Sequence, residues 1–183
     1  MITKILVAVE RSEKNNLVFD TALSLAKTTG ASLMLLHVLS ESEANYPVLP
    51  TYAYYPILDD RDYQVYREKL EQFKQLGIDF LQNLTSRATE AGVDCEYSQL
   101  MGNPGRTTCE LATTWSADLI IVGSRGLRGL KEMFLGSVSN YVTHHAPCSV
   151  FIIRNVLESK LEPLENPLEK TKQANNEHST SNR

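Results

Sequence analysis

Long apolar runs are missing from this chain. Stretches such as 33–36 and 119–122 are far shorter than the roughly 20 residues that span a bilayer, so no membrane segment is expected. Cysteine is also scarce. Cys95, Cys109 and Cys148 are an odd number with no C-x-x-C pair, which removes a disulfide framework and the common zinc spacings and suits a reducing compartment. Basic charge is in deficit, with 18 Lys and Arg against 22 Asp and Glu and a net charge of −4. Affinity resting on phosphate-backbone neutralisation is thereby disfavoured, and nucleic acid is not expected as a partner. The opening Met1-Ile2-Thr3-Lys4 leads straight into a strand-like segment without a signal-peptide pattern, so a cytoplasmic location is expected. Asn83-Leu84-Thr85 matches a glycosylation acceptor, a chance match if no secretory route exists.

Hydrophobic residues make up 42% and charged residues 22% of the 183, the composition of one folded domain. Segments 4–9, 32–38, 94–100, 118–122 and 149–153 read as strands. Three of them are near-continuous aliphatic runs, which suit strands covered on both faces of a parallel sheet. Helical spacing joins them. Val18, Ala22, Leu25 and Ala26 share one face ahead of Gly30. Tyr66, Leu70, Phe73, Phe80, Leu84, Ala88 and Ala91 follow at near-helical spacing and stop at Gly92. A third helix starts at Pro104 and buries Leu111, Ala112 and Trp115. The expected fold is therefore α/β: one domain over 1–154, with a Rossmann-like, doubly wound, five-stranded parallel sheet and helices on both faces. Two segments stand outside it. Residues 41–58, rich in Tyr and Pro, read as a long loop, and the polar stretch 155–183 reads as a disordered tail.

Ligands of such sheets bind beyond the carboxyl ends of the strands, here 9–12, 38–40, 101–105 and the stretch from Gly123. That last stretch carries the chemistry. Gly123, Gly126, Gly129 and Gly136 permit sharp turns and bring backbone N–H groups close to an anion. Ser137 is placed to cap a following helix, whose first N–H groups attract phosphate. Arg125, Arg128 and Lys131 add positive charge in an acidic protein. The spacing is neither G-x-x-x-x-G-K-[ST] nor G-x-G-x-x-G, and a glycine-rich connector without a ligand remains the plain alternative.

The pattern Gly, two residues, Gly, nine residues, Gly, Ser falls on Gly123, Gly126, Gly136 and Ser137. With Val122-Gly123-Ser124-Arg125-Gly126, Leu135-Gly136-Ser137-Val138-Ser139 and Ala146-Pro147-Cys148-Ser149-Val150, it resembles the ATP-binding type of the universal stress protein family across nearly all of 1–154. The resemblance implies an adenine nucleotide alpha hydrolase-like fold and phosphates held by Gly126, Gly136, Ser137 and their neighbours, Gly123, Ser124, Arg125, Val138 and Ser139. It also implies an adenine pocket lined by Val38 with Val9 nearby, and Gly102 and Pro104 on the ribose and base side. Glu10 stands where ATP-binding members commonly carry Asp, one methylene further from the backbone. ATP or AMP is the implied ligand, with Mg²⁺ accompanying ATP, and the implied assembly is a homodimer through 149–153. The expected role is a nucleotide-dependent regulatory module in stress response; a slow Mg²⁺-dependent ATP hydrolase and a nucleotide-free interaction protein are the alternatives.

Other constellations attract less weight. His144, His145 and Cys148 offer metal-ligand chemistry, but adjacent histidines on a helix point to different sides. His37, at a strand end beside the expected pocket, reads as packed or hydrogen-bonded rather than as a catalytic base, and Cys109 as a buried structural thiol. The Tyr-rich segment is a lid over the nucleotide, a mobile excursion or a dimer contact.

Overall fold

Among the described residues nine elements alternate: β1 (Lys4–Ala8), α1 (Asn15–Thr29), β2 (Ser32–Leu39), α2 (Asp60–Glu90), β3 (Cys95–Met101), α3 (Pro104–Trp115), β4 (Leu119–Ser124), α4 (Ser137–His145) and β5 (Ser149–Arg154). The computed structural model describes residues 1–12, 15–43, 45–49, 60–124 and 135–154. The tail 155–183, residues 50–59 of the Tyr-rich segment, and Arg125, Gly126, Arg128, Gly129 and Lys131 lie outside the described residues. All strand pairings are parallel, in the order β3-β2-β1-β4-β5. The α/β expectation with its five parallel strands holds.

Strand periodicity sorts the core into two layers. Odd-numbered Ile5, Val7, Leu33, Leu35, Leu119 and Ile121 pack with Phe19, Ala22 and Ala26 of α1 and Leu81, Leu84 and Ala88 of α2. Even-numbered Leu6, Met34, Leu36, Ile120 and Val122 pack with Cys109 and Ala112 of α3 and Val142 of α4. The middle of each central strand is therefore apolar on both faces over Ile5–Val7, Leu33–Leu36 and Leu119–Val122, as a sheet covered on both sides requires. Helices end where the expectation put them. Gly30 and Gly92 have φ of 73° and 81°, the left-handed region that a Cβ disfavours. Asn103 caps α3 by accepting from the Arg106 N–H, with Pro104 in the first turn.

A polar clamp sits at the amino ends of the two central strands. One carboxylate oxygen of Asp118 accepts from the Thr3 N–H (2.7 Å), the Thr3 hydroxyl (2.8 Å) and the Lys4 N–H (3.0 Å). Those bonds hold the Asp118 carboxyl below the ordinary carboxylate range, the Thr3 N–H most of all. Strand limits differ from expectation at the other end. β2 runs on to Leu39 and β4 through Gly123 and Ser124, because β5 continues alongside and pairs Gly123 with Ile153 and Ser124 with Arg154. Gly123 is thus a strand residue and no part of a turn. Its missing side chain serves close packing, since a Cβ there would lie 3.1 Å from Val18 Cγ2 of α1.

Where α2 crosses β2 and β3, the apolar seam is interrupted by His37, only 2% exposed. Its Nδ1 faces the Gln99 amide nitrogen at 3.3 Å, and the same nitrogen donates to the Lys74 carbonyl at 3.1 Å. Gln99 is the donor in both, so Nδ1 accepts and the His37 proton resides on Nε2. Gly77 of α2 makes room for this contact: a Cβ would collide with Gln99 Nε2 and stand 2.7 Å from His37 Nδ1. Replacing glycine by alanine within a helix normally stabilises by about 1 kcal/mol. Gly77→Ala is expected to have the opposite sign, losing about 1–3 kcal/mol by displacing buried hydrogen-bonded groups, as urea denaturation would measure.

Candidate functional site

Neighbouring strands β1 and β4 are continued in opposite directions across the sheet, β1 leading to β2 on one side and β4 to β5 on the other. Such a switch point leaves a crevice beyond the strand ends. Here it is a cavity of about 380 Å³, within the roughly 300–1,000 Å³ common for small-molecule sites. Ala8, Val9 and Glu10 end β1 on it, Val38 ends β2, and Val122, Gly123 and Ser124 end β4. Asn103, Pro104 and Gly105 bring the start of α3 to the same space, and Gly136, Ser137, Val138 and Ser139 bring the start of α4. α3 and α4 approach closely enough that a Cβ on Gly105 would lie 2.9 Å from Tyr141 Cβ.

The two ends of the cavity differ in polarity. At one end α4 begins at Gly136, which has no side chain to cap it. The expected Ser137 cap is corrected: Ser137 is the first helical residue, and Gly136 supplies the extended turn with φ −61° and ψ 161°. An α-helix leaves its first N–H groups without internal partners and with partial positive charge, so this end suits an anion. Ser139 is 1% exposed and donates to the Gly136 carbonyl at 3.0 Å, which ties the first turn together.

At the other end the chain leaves β2 through Ser40 and folds back. The Glu43 N–H donates to the Ser40 carbonyl (3.0 Å), and the Ser40 and Ser42 hydroxyls are 2.6 Å apart. This turn delivers Glu43 to His37 and Arg11. Oε1 of Glu43 lies 3.2 Å from His37 Nε2 and 3.2 Å from Arg11 Nε. The Arg11 guanidinium also lies over the Phe73 ring of α2, 4.5 Å from its centroid, and Tyr46 meets Phe73 edge-on at 5.5 Å. Burial pushes the Glu43 carboxyl up, but hydrogen bonds from His37 and Arg11 and the adjacent positive charge outweigh it and hold the group below its ordinary 4.5. Between the two ends the walls are aliphatic: Ala8, Val9, Leu17, Val18, Val38 and Val122.

Of the residues singled out in the sequence, Val9, Glu10, Val38, Pro104, Gly123, Ser124, Gly136, Ser137, Val138 and Ser139 meet at this cavity. Gly102 does not line it. Its φ of 147° and its N–H bond to Leu39 form the turn that carries Asn103 and Pro104 there. Arg125 and Gly126 lie outside the described residues. The Glu10 carboxylate accepts from the Ser12 hydroxyl at 3.0 Å.

A family model for the universal stress protein family matches residues 1–154. The chain belongs to the universal stress protein family. A universal stress protein of Synechocystis is 37% identical over 152 residues, covering 83% of this chain and 97% of that one. The solved universal stress protein of Lactobacillus plantarum superposes with a TM-score of 0.59 at 27% identity, over 84% of this chain and 98% of that one. An Arabidopsis thaliana family member solved with AMP bound gives a TM-score of 0.55 at 24% identity, over 88% and 98%.

In this universal stress protein Arg11, Ser40 and Asn103 fall within the strand-end segments 9–12, 38–40 and 101–105 without having been named singly, and Ser42, Glu43, Thr108 and Tyr141 were not marked as site residues. Glu43 fell inside the 41–58 loop, whose lid reading rested on its tyrosines and named no carboxylate, and Thr108 and Tyr141 look like ordinary helix positions. His37 is packed and hydrogen-bonded as expected. Among the described residues, no group of three or more His, Cys, Asp or Glu side chains could hold a metal, and no helix is long and apolar enough to cross a membrane. Burial pushes the Cys95 thiol up to about 11 and raises those of Cys109 and Cys148, as befits structural thiols. Because folding lowers the Glu43 value, its contribution to stability is present above 4.5 and is lost as pH falls through the folded value. Carboxyl NMR titration should place the Glu43 midpoint below 4.5, and Glu43→Gln should flatten the pH dependence of unfolding in that window.

Proposed function

We propose that the protein is a regulatory module that binds an adenine nucleotide in the switch-point cavity, with the phosphates at the start of α4 and the base between Val9 and Val38. The supporting observation is the convergence of Gly136, Ser137, Val9, Val38 and Pro104 on one cavity with an anion-suited helix terminus at one end and aliphatic walls between. AMP, which the Arabidopsis relative carries, has this sequence of properties: an anionic group, a polar sugar and a flat base with apolar faces. Arg125 and Gly126 follow β4 directly and belong to the phosphate end in this assignment. With ATP as ligand, Mg²⁺ arrives as the companion of the phosphates, and Ser137 and Glu10 are the protein groups with oxygen ligands to offer it.

Occupancy of the site is the output in this proposal, read by partners of a dimer. β5 is an edge strand with Phe151 45% exposed, and an edge with an apolar residue is commonly covered by a second copy. Phe151→Glu is expected to convert a dimer to a monomer in light scattering coupled to gel filtration, with the circular dichroism spectrum unchanged. A wild-type protein already monomeric at high concentration removes the dimer from the proposal.

Nucleotide binding is tested by calorimetry with ATP, AMP and cyclic AMP, and by mass spectrometry of what the purified protein releases on denaturation. Stoichiometric nucleotide is expected from the wild type. Gly126→Val with Gly136→Val should weaken binding by roughly 100-fold, about 2.7 kcal/mol, because added side chains hold phosphate away from the backbone. A wild type that is empty and binds none of the three nucleotides overturns the assignment.

A further inference from the structure

We propose that Glu43 is a specificity-determining residue of the nucleotide site, accepting a hydrogen bond from a neutral N–H or O–H donor on the nucleoside part of the ligand. The inference rests on the adenine-nucleotide assignment above and adds to it a residue outside the glycine-rich segment and its helix.

Three observations carry it. Glu43 lines the cavity from the turn after β2, on one side of β1, whereas α4 follows β4 on the other side. Its two carboxylate oxygens are used unequally: Oε1 takes both the His37 and the Arg11 bonds, whereas Oε2 is buried and has no hydrogen-bond partner among the described residues. Buried acceptors are rarely left in that state, because losing water without replacing it is costly. The third observation is how firmly the carboxylate is held. Gln99 donates to His37 and His37 donates to Glu43, so the network runs in one direction and ends on Oε1, with Oε2 of the same carboxylate taking no bond in it. Arg11, stacked on Phe73, holds the same oxygen from the other side.

An ionised carboxylate accepts and never donates. It repels phosphate, which reinforces the orientation set by α4, and it pairs with the donors that an adenine nucleotide carries away from its phosphates. Those are the 6-amino group and the ribose hydroxyls. Both present the same chemistry to Oε2, and ligands lacking one donor at a time separate them.

The test is a double-mutant cycle by calorimetry on the full chain. Wild type and Glu43→Gln are each titrated with AMP, purine riboside 5′-monophosphate, 2′-deoxy-AMP and 3′-deoxy-AMP. Glutamine keeps the acceptor that His37 and Arg11 need and turns the open oxygen into an amide donor. AMP affinity is expected to fall roughly 10-fold or more in the variant. One donor-lacking analogue should show a similar loss in the wild type and little further loss in the variant, which names the donor that Oε2 meets. Glu43→Ala, monitored by thermal melting, reports any purely structural contribution of the turn, which would weaken all four ligands equally. Additive losses for every analogue, or unchanged AMP affinity in Glu43→Gln, overturn the proposal while leaving nucleotide binding standing. A wild type that binds none of the four ligands overturns the nucleotide assignment and this inference with it.

Discussion

Parallel pairing of β1 with β4, Ile5 to Leu119, Leu6 to Ile120 and Val7 to Ile121, is the constraint on which the rest of the molecule depends. Both strands are covered on both faces over this paired stretch, and all six of the paired residues are aliphatic. The Asp118 carboxylate, bonded to the Thr3 and Lys4 backbone, ties the strands together at their amino ends and sets where their carboxyl ends finish side by side. Because the next strands depart in opposite directions, nothing of the sheet fills the space beyond those ends. The cavity is the geometric residue of that topology, bordered by the start of α3, which follows β3 after two residues, and by the start of α4, which follows the segment 125–136.

The cavity joins environments that a uniform core could not supply. One end is a helix start capped by a glycine, which leaves partial positive charge exposed to a ligand. The middle is aliphatic. The other end is an ionised carboxylate held by a histidine that is itself buried under α2. His37 is buried and Gln99 half-buried, both with their contacts met, and Gly77 stands in the middle of α2 because a side chain there would displace those groups. α2 therefore contributes to the site without lining it, by holding His37 and stacking Phe73 on Arg11.

Much of this was legible in the sequence. Aliphatic runs marked the central strands, since burial on both faces removes the alternation that would make a strand ambiguous. Gly30 and Gly92 marked helix ends because only glycine takes a left-handed conformation without strain. The glycine and serine spacing from Gly123 to Ser137 pointed to the end of the sheet where the cavity lies. Gly123 shows the limit of such inference: a glycine needed to let α1 approach and a glycine needed to turn the chain are the same letter. Ser137 is a similar case, since a serine at the first helical position and a serine one residue earlier differ by a register that sequence alone does not specify.

By itself the sequence determined the order of elements, the parallel sheet, the two-sided core and the segment able to face an anion, because these follow from local periodicity and from conformations that few residues adopt. Only the tertiary structure decided that Arg11, His37, Glu43 and Gln99 form one network, and that Glu43 ends it at the cavity. Arg11, Gln99 and the pair His37 and Glu43 are far apart along the chain and share no spacing. Their contact exists because β1, β2, β3 and the turn after β2 finish at the same edge of a folded sheet, and hydrogen bonds of fixed length then select partners that no local pattern records.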